Sequence, residues 1–66
     1  MIEKKQLKLF VGKFCKLILN NGFSYIGYLR EVGETSIKFD DRFDGIYFFD
    51  ISFIKSIGGV RGGKDE

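Results

Sequence analysis

Apolar residues recur at every second position through most of this chain. Over residues 13–19, Cys15, Leu17 and Leu19 alternate with Lys16 and Ile18, which is the period of a strand with one buried face. Asn20-Asn21-Gly22 follows and signals a tight hairpin, because Asn and Gly tolerate positive φ. A second strand runs from Phe23 to Val32 with Gly27 in its middle. A mid-strand glycine marks a bend, a bulge or a barrel corner. Gly33-Glu34-Thr35 turns the chain into a third strand, Ser36–Asp40, with Ile37 and Phe39 on one face. Asp41–Gly45 is a loop closed by Asp-Gly. Ile46–Ile51 is a fourth strand, Ser52-Phe53 a very short connection and Ile54–Ile57 a fifth strand. Only residues 2–10 follow a helical period: Ile2, Gln6 and Leu9 share a face, and Gly12 stops the helix. The pattern predicts an all-β fold, a five-stranded, strongly bent antiparallel small barrel with a short N-terminal α-helix. The barrel domain takes residues 1–57. The Gly-rich polar stretch 58–66 is expected to be a flexible tail.

Composition adds a stability problem to this picture. The chain has 66 residues, eight Phe and three Tyr among them, one Cys and no His, Trp or Pro. A chain this short buries only about 60% of the surface its unfolded form exposes. One Cys excludes an internal disulfide, and without His or a Cys pair no zinc site is expected. Oligomerisation is the remaining staple. The segment Ile46-Tyr47-Phe48-Phe49 is apolar on both faces of its strand, and an uncovered aromatic strand of that kind is an aggregation hazard. Tyr25, Ile26 and Tyr28 likewise place apolar groups on both faces of strand two. A neighbouring copy is the available cover, so Ile46, Tyr47, Phe48 and Phe49 are expected interface residues.

Charge is uneven. Residues 1–22 carry Lys4, Lys5, Lys8, Lys13 and Lys16 against Glu3, while residues 23–57 are net acidic. A basic N-terminal third attracts polyanions. Lys4, Lys5 and Lys8, with Arg61 in the Gly-rich tail, are the candidate nucleic-acid contacts. Asp40, Asp41, Asp44 and Asp50 lack the spacing of a calcium loop and read as solvated turns. Cys15 shares a strand face with Leu17 and Leu19 and reads as a buried, inert thiol. Tyr28, Phe43 and Tyr47 are possible stacking groups, and more often core or interface aromatics. No acid–base or nucleophile pair is visible, so no enzyme and no cofactor is expected. No secretory leader and no stretch of about 20 apolar residues occurs, and a lone Cys suits a reducing compartment. A cytoplasmic protein without membrane partners is the expectation.

These residues resemble the Sm-like family, which comprises Sm, Sm-like and bacterial Hfq RNA-binding proteins. Cys15-Lys16-Leu17-Ile18-Leu19-Asn20-Asn21-Gly22 looks like the family's first strand and its Asn/Asp-Gly turn. Gly27-Tyr28-Leu29 looks like the Gly-x-hydrophobic element of the bent second strand. Phe53-Ile54-Lys55-Ser56-Ile57 looks like the end of the second Sm motif. The resemblance spans roughly residues 2–57 and implies an Sm-like or SH3-like barrel that assembles into a homo-oligomeric ring. Neighbouring subunits of that family pair strand four with strand five, which adds Ile54 to the interface set. The family's RNA-reading loops are not matched: Gly33 and Thr35 stand where an Asp and an aromatic are usual, and Asp50-Ile51-Ser52 replaces the basic turn. The resemblance implies single-stranded RNA binding through a basic face multiplied around the ring. The alternative is a protein–protein assembly module on the same scaffold without RNA readout.

Overall fold

The computed structural model describes residues 2–60. Its elements are α1 (Lys4–Lys8), β1 (Phe14–Leu19), β2 (Ser24–Val32), β3 (Ser36–Asp41), β4 (Gly45–Asp50), a 3-10 turn η1 (Ile51–Phe53) and β5 (Ile54–Gly59). The strands form one antiparallel sheet in the order β4-β3-β2-β1-β5. The all-β, five-stranded architecture with a short N-terminal helix is therefore the one the hydrophobic pattern predicts.

β2 is the strand that bends the sheet. Its first half pairs with β1, from Ser24 opposite Ile18 to Tyr28 opposite Phe14. Its second half pairs with β3, from Gly27 opposite Asp41 to Val32 opposite Ile37, with a register shift between Leu29 and Glu31. Gly27 sits at the handover and is buried. A Cβ there would run into the backbone carbonyl of Asp40, so only glycine lets β2 and β3 approach this closely. The bend brings Tyr25 on β2 against Tyr47 and Phe49 on β4, at centroid separations of 5.3 and 5.1 Å.

Alternation places Cys15, Leu17, Leu19, Leu29, Ile37 and Phe39 inside, all nearly or fully buried. Ile54 joins them at 1% exposure, so its side chain belongs to the core and only its backbone, at the start of β5, faces the sheet edge. The reason is local: η1 resets the phase of the chain, so β5 starts with an inward side chain opposite Leu19. The helix also differs from expectation. It has only five residues, Ile2 precedes it, and Leu7 is its buried residue while Leu9 is 68% exposed. One and a half turns are too few for a helical period to show, and so short a helix persists only by docking. Leu7 provides that docking. Gly12, at φ 82°, then swings the chain so that its N–H donates to the Leu29 carbonyl at 2.7 Å.

Gly58 and Gly59 belong to β5, opposite Lys16 and Cys15, so the predicted tail starts too early. Strand pairing there uses backbone groups alone and leaves no side-chain signal. The first hairpin is wider than expected. In its turn only Gly22 takes positive φ, at 93°, and Leu19 accepts from the Gly22 N–H while donating to the Phe23 carbonyl. Three-residue loops of this kind commonly end in one left-handed residue, and Asn21 supports this one by accepting from the Phe23 N–H at 3.0 Å.

Candidate self-association edges and basic segment

β4 and β5 are the two ends of the sheet order. Among the described residues, each has a strand partner on one side only. A strand edge of this kind presents unpaired N–H and C=O groups to any extended chain. On β4 the side chains alternate as a strand requires. Tyr47 and Phe49 turn inward and are half-buried, whereas Ile46 and Phe48 point outward at 48% and 70% exposure. Tyr47 and Phe49 stack at 5.6 Å with planes 22° apart, so the inner side of this edge is a rigid aromatic wall. Its outer side is apolar and bare.

The β5 edge has the opposite character. Ser56 and Gly58 pair with the outward residues Ile18 and Lys16 of β1, so small groups occupy the outer side of β5. A Cβ at Gly58 would meet nothing within 4 Å. One edge thus projects Ile46 and Phe48, whereas the outward positions of β5 that pair with β1 are small and its one long exposed side chain is Lys55, at the register shift between Ile54 and Ser56. Sequence reading found the first set from its two-faced apolar pattern. Ser56 and Gly58 escaped it, because a missing side chain is legible only once the strand order is known.

Between the edges, η1 is held by the last residue of β4 and by two turns. Asp50 Oδ1 accepts from Ser52 N–H and Oγ–H at 2.9 and 2.7 Å. These bonds hold the Asp50 carboxyl below the usual carboxylate range. Asn20 donates from its backbone N–H to the Phe53 carbonyl and from Nδ2 to the Ser52 carbonyl. The Ile51 N–H donates to the Thr35 carbonyl at 2.8 Å.

The candidate nucleic-acid residues separate. Lys5 and Lys8 are exposed on α1. Lys4 is half-buried, its Nζ 3.5 Å from Glu34 Oε1, an exposed ion pair that contributes about 0–1 kcal/mol. Arg61 lies outside the described residues, as does most of the Gly-rich stretch. The four central aspartates have structural tasks. Asp41, 6% exposed, accepts from the Phe43 and Asp44 N–H groups and shapes the β3–β4 turn. Asp44 accepts from the Tyr47 hydroxyl, which raises the Tyr47 pKa. Asp40 binds Arg30, and Asp50 caps η1. Cys15 is fully buried, and burial pushes its thiol pKa up.

No helix among the described residues is long and apolar enough to cross a membrane. No protein-family model, curated protein or solved structure matches the chain.

Proposed function

We propose that this chain is a non-catalytic, Sm-like small barrel that self-assembles edge to edge and binds single-stranded RNA through its repeated basic N-terminal segment. Copies associate with β4 of one beside β5 of the next, closing into a ring. The observation that carries the reading is the mismatch between the two edges: Ile46 and Phe48 project from one, and Ser56 and Gly58 leave room on the other. Pairing would cover apolar surface and satisfy both rows of free backbone groups at once. Each copy then contributes Lys5 and Lys8 to a shared surface, and repetition converts a weak local charge into a strong anion attractor.

The reading is tested by native mass spectrometry and light scattering of the full chain, followed by fluorescence anisotropy with labelled oligo-A and oligo-U. A mass several times 7.6 kDa and salt-dependent binding support it. A monomer at all concentrations removes the ring, and no binding at about 50 mM salt, where phosphate contacts are strongest, removes the RNA partner. A second reading is an assembly module without RNA. It is favoured by the tie between Lys4 and Glu34 and by Asp50 in place of a cation at the η1 turn. A stoichiometric protein partner recovered without nucleic acid would select it.

A further inference from the structure

The outward face of the central strand carries a row of groups that edge pairing leaves uncovered. Phe14 of β1 stands opposite Tyr28 of β2, their ring centroids 5.2 Å apart at 59°. The Arg30 guanidinium lies over the Tyr28 ring with Cζ 5.2 Å from the centroid. Its Nη2 donates to Asp40 Oδ2 at 2.9 Å, and Asp40 is itself the register partner of Tyr28. Tyr28 is 42% exposed and the Arg30 side chain 49%. β2 has two strands on each side, so neither sheet edge reaches it.

An ion pair this exposed adds little to stability. What Asp40 does is fix a planar guanidinium over the Tyr28 ring, so that the stacked pair presents the outer face of the guanidinium and the exposed part of the ring without further ordering. Lys16, two residues along β1 from Phe14, and Lys38, two residues before Asp40 on β3, point to the same side of the sheet. Facing them are Asp40, which is engaged by Arg30, and Glu31, the register partner of Lys38. Flat π surfaces with cations beside them suit a partner that is planar and anionic in alternation, which describes single-stranded nucleic acid.

We infer that Phe14, Tyr28 and Arg30 form a base-stacking platform for single-stranded RNA, with Lys16 and Lys38 placed to meet the flanking phosphates. The inference rests on the RNA-binding reading above and adds a second contact surface to it, carried by β1, β2 and β3 and not by the α1 lysines. Every base has a π face, so the platform is tolerant of sequence.

The test is anisotropy of labelled oligo-A and oligo-U with the intact, assembled protein. Tyr28→Thr replaces one strand former by another at an exposed site. It should weaken binding about tenfold with an unchanged salt slope, and Tyr28→Phe should bind as the parent does. The double variant Lys5→Ala, Lys8→Ala should instead flatten the salt slope. NMR of the unsubstituted protein supplies a readout independent of variant folding: added oligonucleotide should shift the ring signals of Phe14 and Tyr28. Tyr28→Thr binding as tightly as the parent, while the lysine variant loses affinity, would overturn the platform and leave RNA binding intact. Unmoved ring signals at saturating oligonucleotide would do the same. No binding by the parent protein would overturn both.

Discussion

Replacing Gly27 by alanine probes the crossing of β2 and β3 with a single methyl group. The new Cβ would overlap the Asp40 carbonyl oxygen, with the Asp40 carbonyl carbon and the Asp41 Cα each 2.9 Å away. All three are backbone atoms, so no side chain can rotate aside. The strands must separate where Gly27 pairs with Asp41, and the bulge at Leu29–Glu31 offers the nearest slack. Overpacking a close contact costs about 1–3 kcal/mol, and each ladder hydrogen bond weakened adds about 1 kcal/mol. A total of about 2–5 kcal/mol is expected, against about 3–10 kcal/mol of stability for a domain of this size. Gly58→Ala is the matched control, since its Cβ enters open space, and a shift within about 1 kcal/mol is expected. Urea unfolding at one fixed protein concentration compares them. With a slope near 1 kcal/mol per molar urea, Gly27→Ala should lower the midpoint by at least about 2 M. Equal midpoints for the two variants would refute the close crossing.

Phe48→Asp, at an exposed position on the β4 edge, should leave far-UV circular dichroism unchanged and shift light scattering to the monomer mass. An unchanged assembly would show that this edge is not the contact. Asp41→Ala strips two N–H groups of their acceptor and should destabilise by about 1–3 kcal/mol, lowering the melting temperature by about 4–8 °C for each kcal/mol. The depressed Asp50 pKa gives stability that is present above the unfolded carboxyl value of about 4 and lost as pH falls through the lower folded value. Urea midpoints of Asp50→Asn should therefore lie below the parent's above about pH 4 and converge with them in stronger acid. Cys15, buried and with its thiol pKa raised, should react with a disulfide reagent only as fast as the chain opens. Rapid labelling of the folded protein would contradict its burial.

The strands were legible because their alternation is strict. Cys15, Leu17 and Leu19, and Ile37 with Phe39, fall on one face in sequence and in space. Gly27 was legible as a bend because glycine within an apolar strand needs a reason, and the Asp40 carbonyl is that reason. The helix face was misplaced because five residues carry no period, and Ile2 reaches the core from outside the helix. The inward side chain of Ile54 could not be read because a 3-10 turn erases the phase of the strand before it. Of the candidate sites, the apolar edge could be read from Ile46 to Phe49, since two-faced apolarity is a local pattern. The pairing of Arg30 with Asp40 could not. It depends on the β2–β3 register, which the sequence does not state.

The strand order has a consequence for any assembly built on its edges. β4 and β5 are unlike surfaces, so each copy is a directional unit with a head and a tail. A head-to-tail contact is heterologous, and nothing in one such contact limits how many copies join. Only the angle between the two edges decides between a closed ring and an open filament. The two edge strands are joined along the chain by three residues, Ile51–Phe53, pinned by Asp50, Asn20 and Thr35. Copy number would then be a property of this small turn, and loosening its bonds would broaden the distribution of sizes without weakening the contact itself.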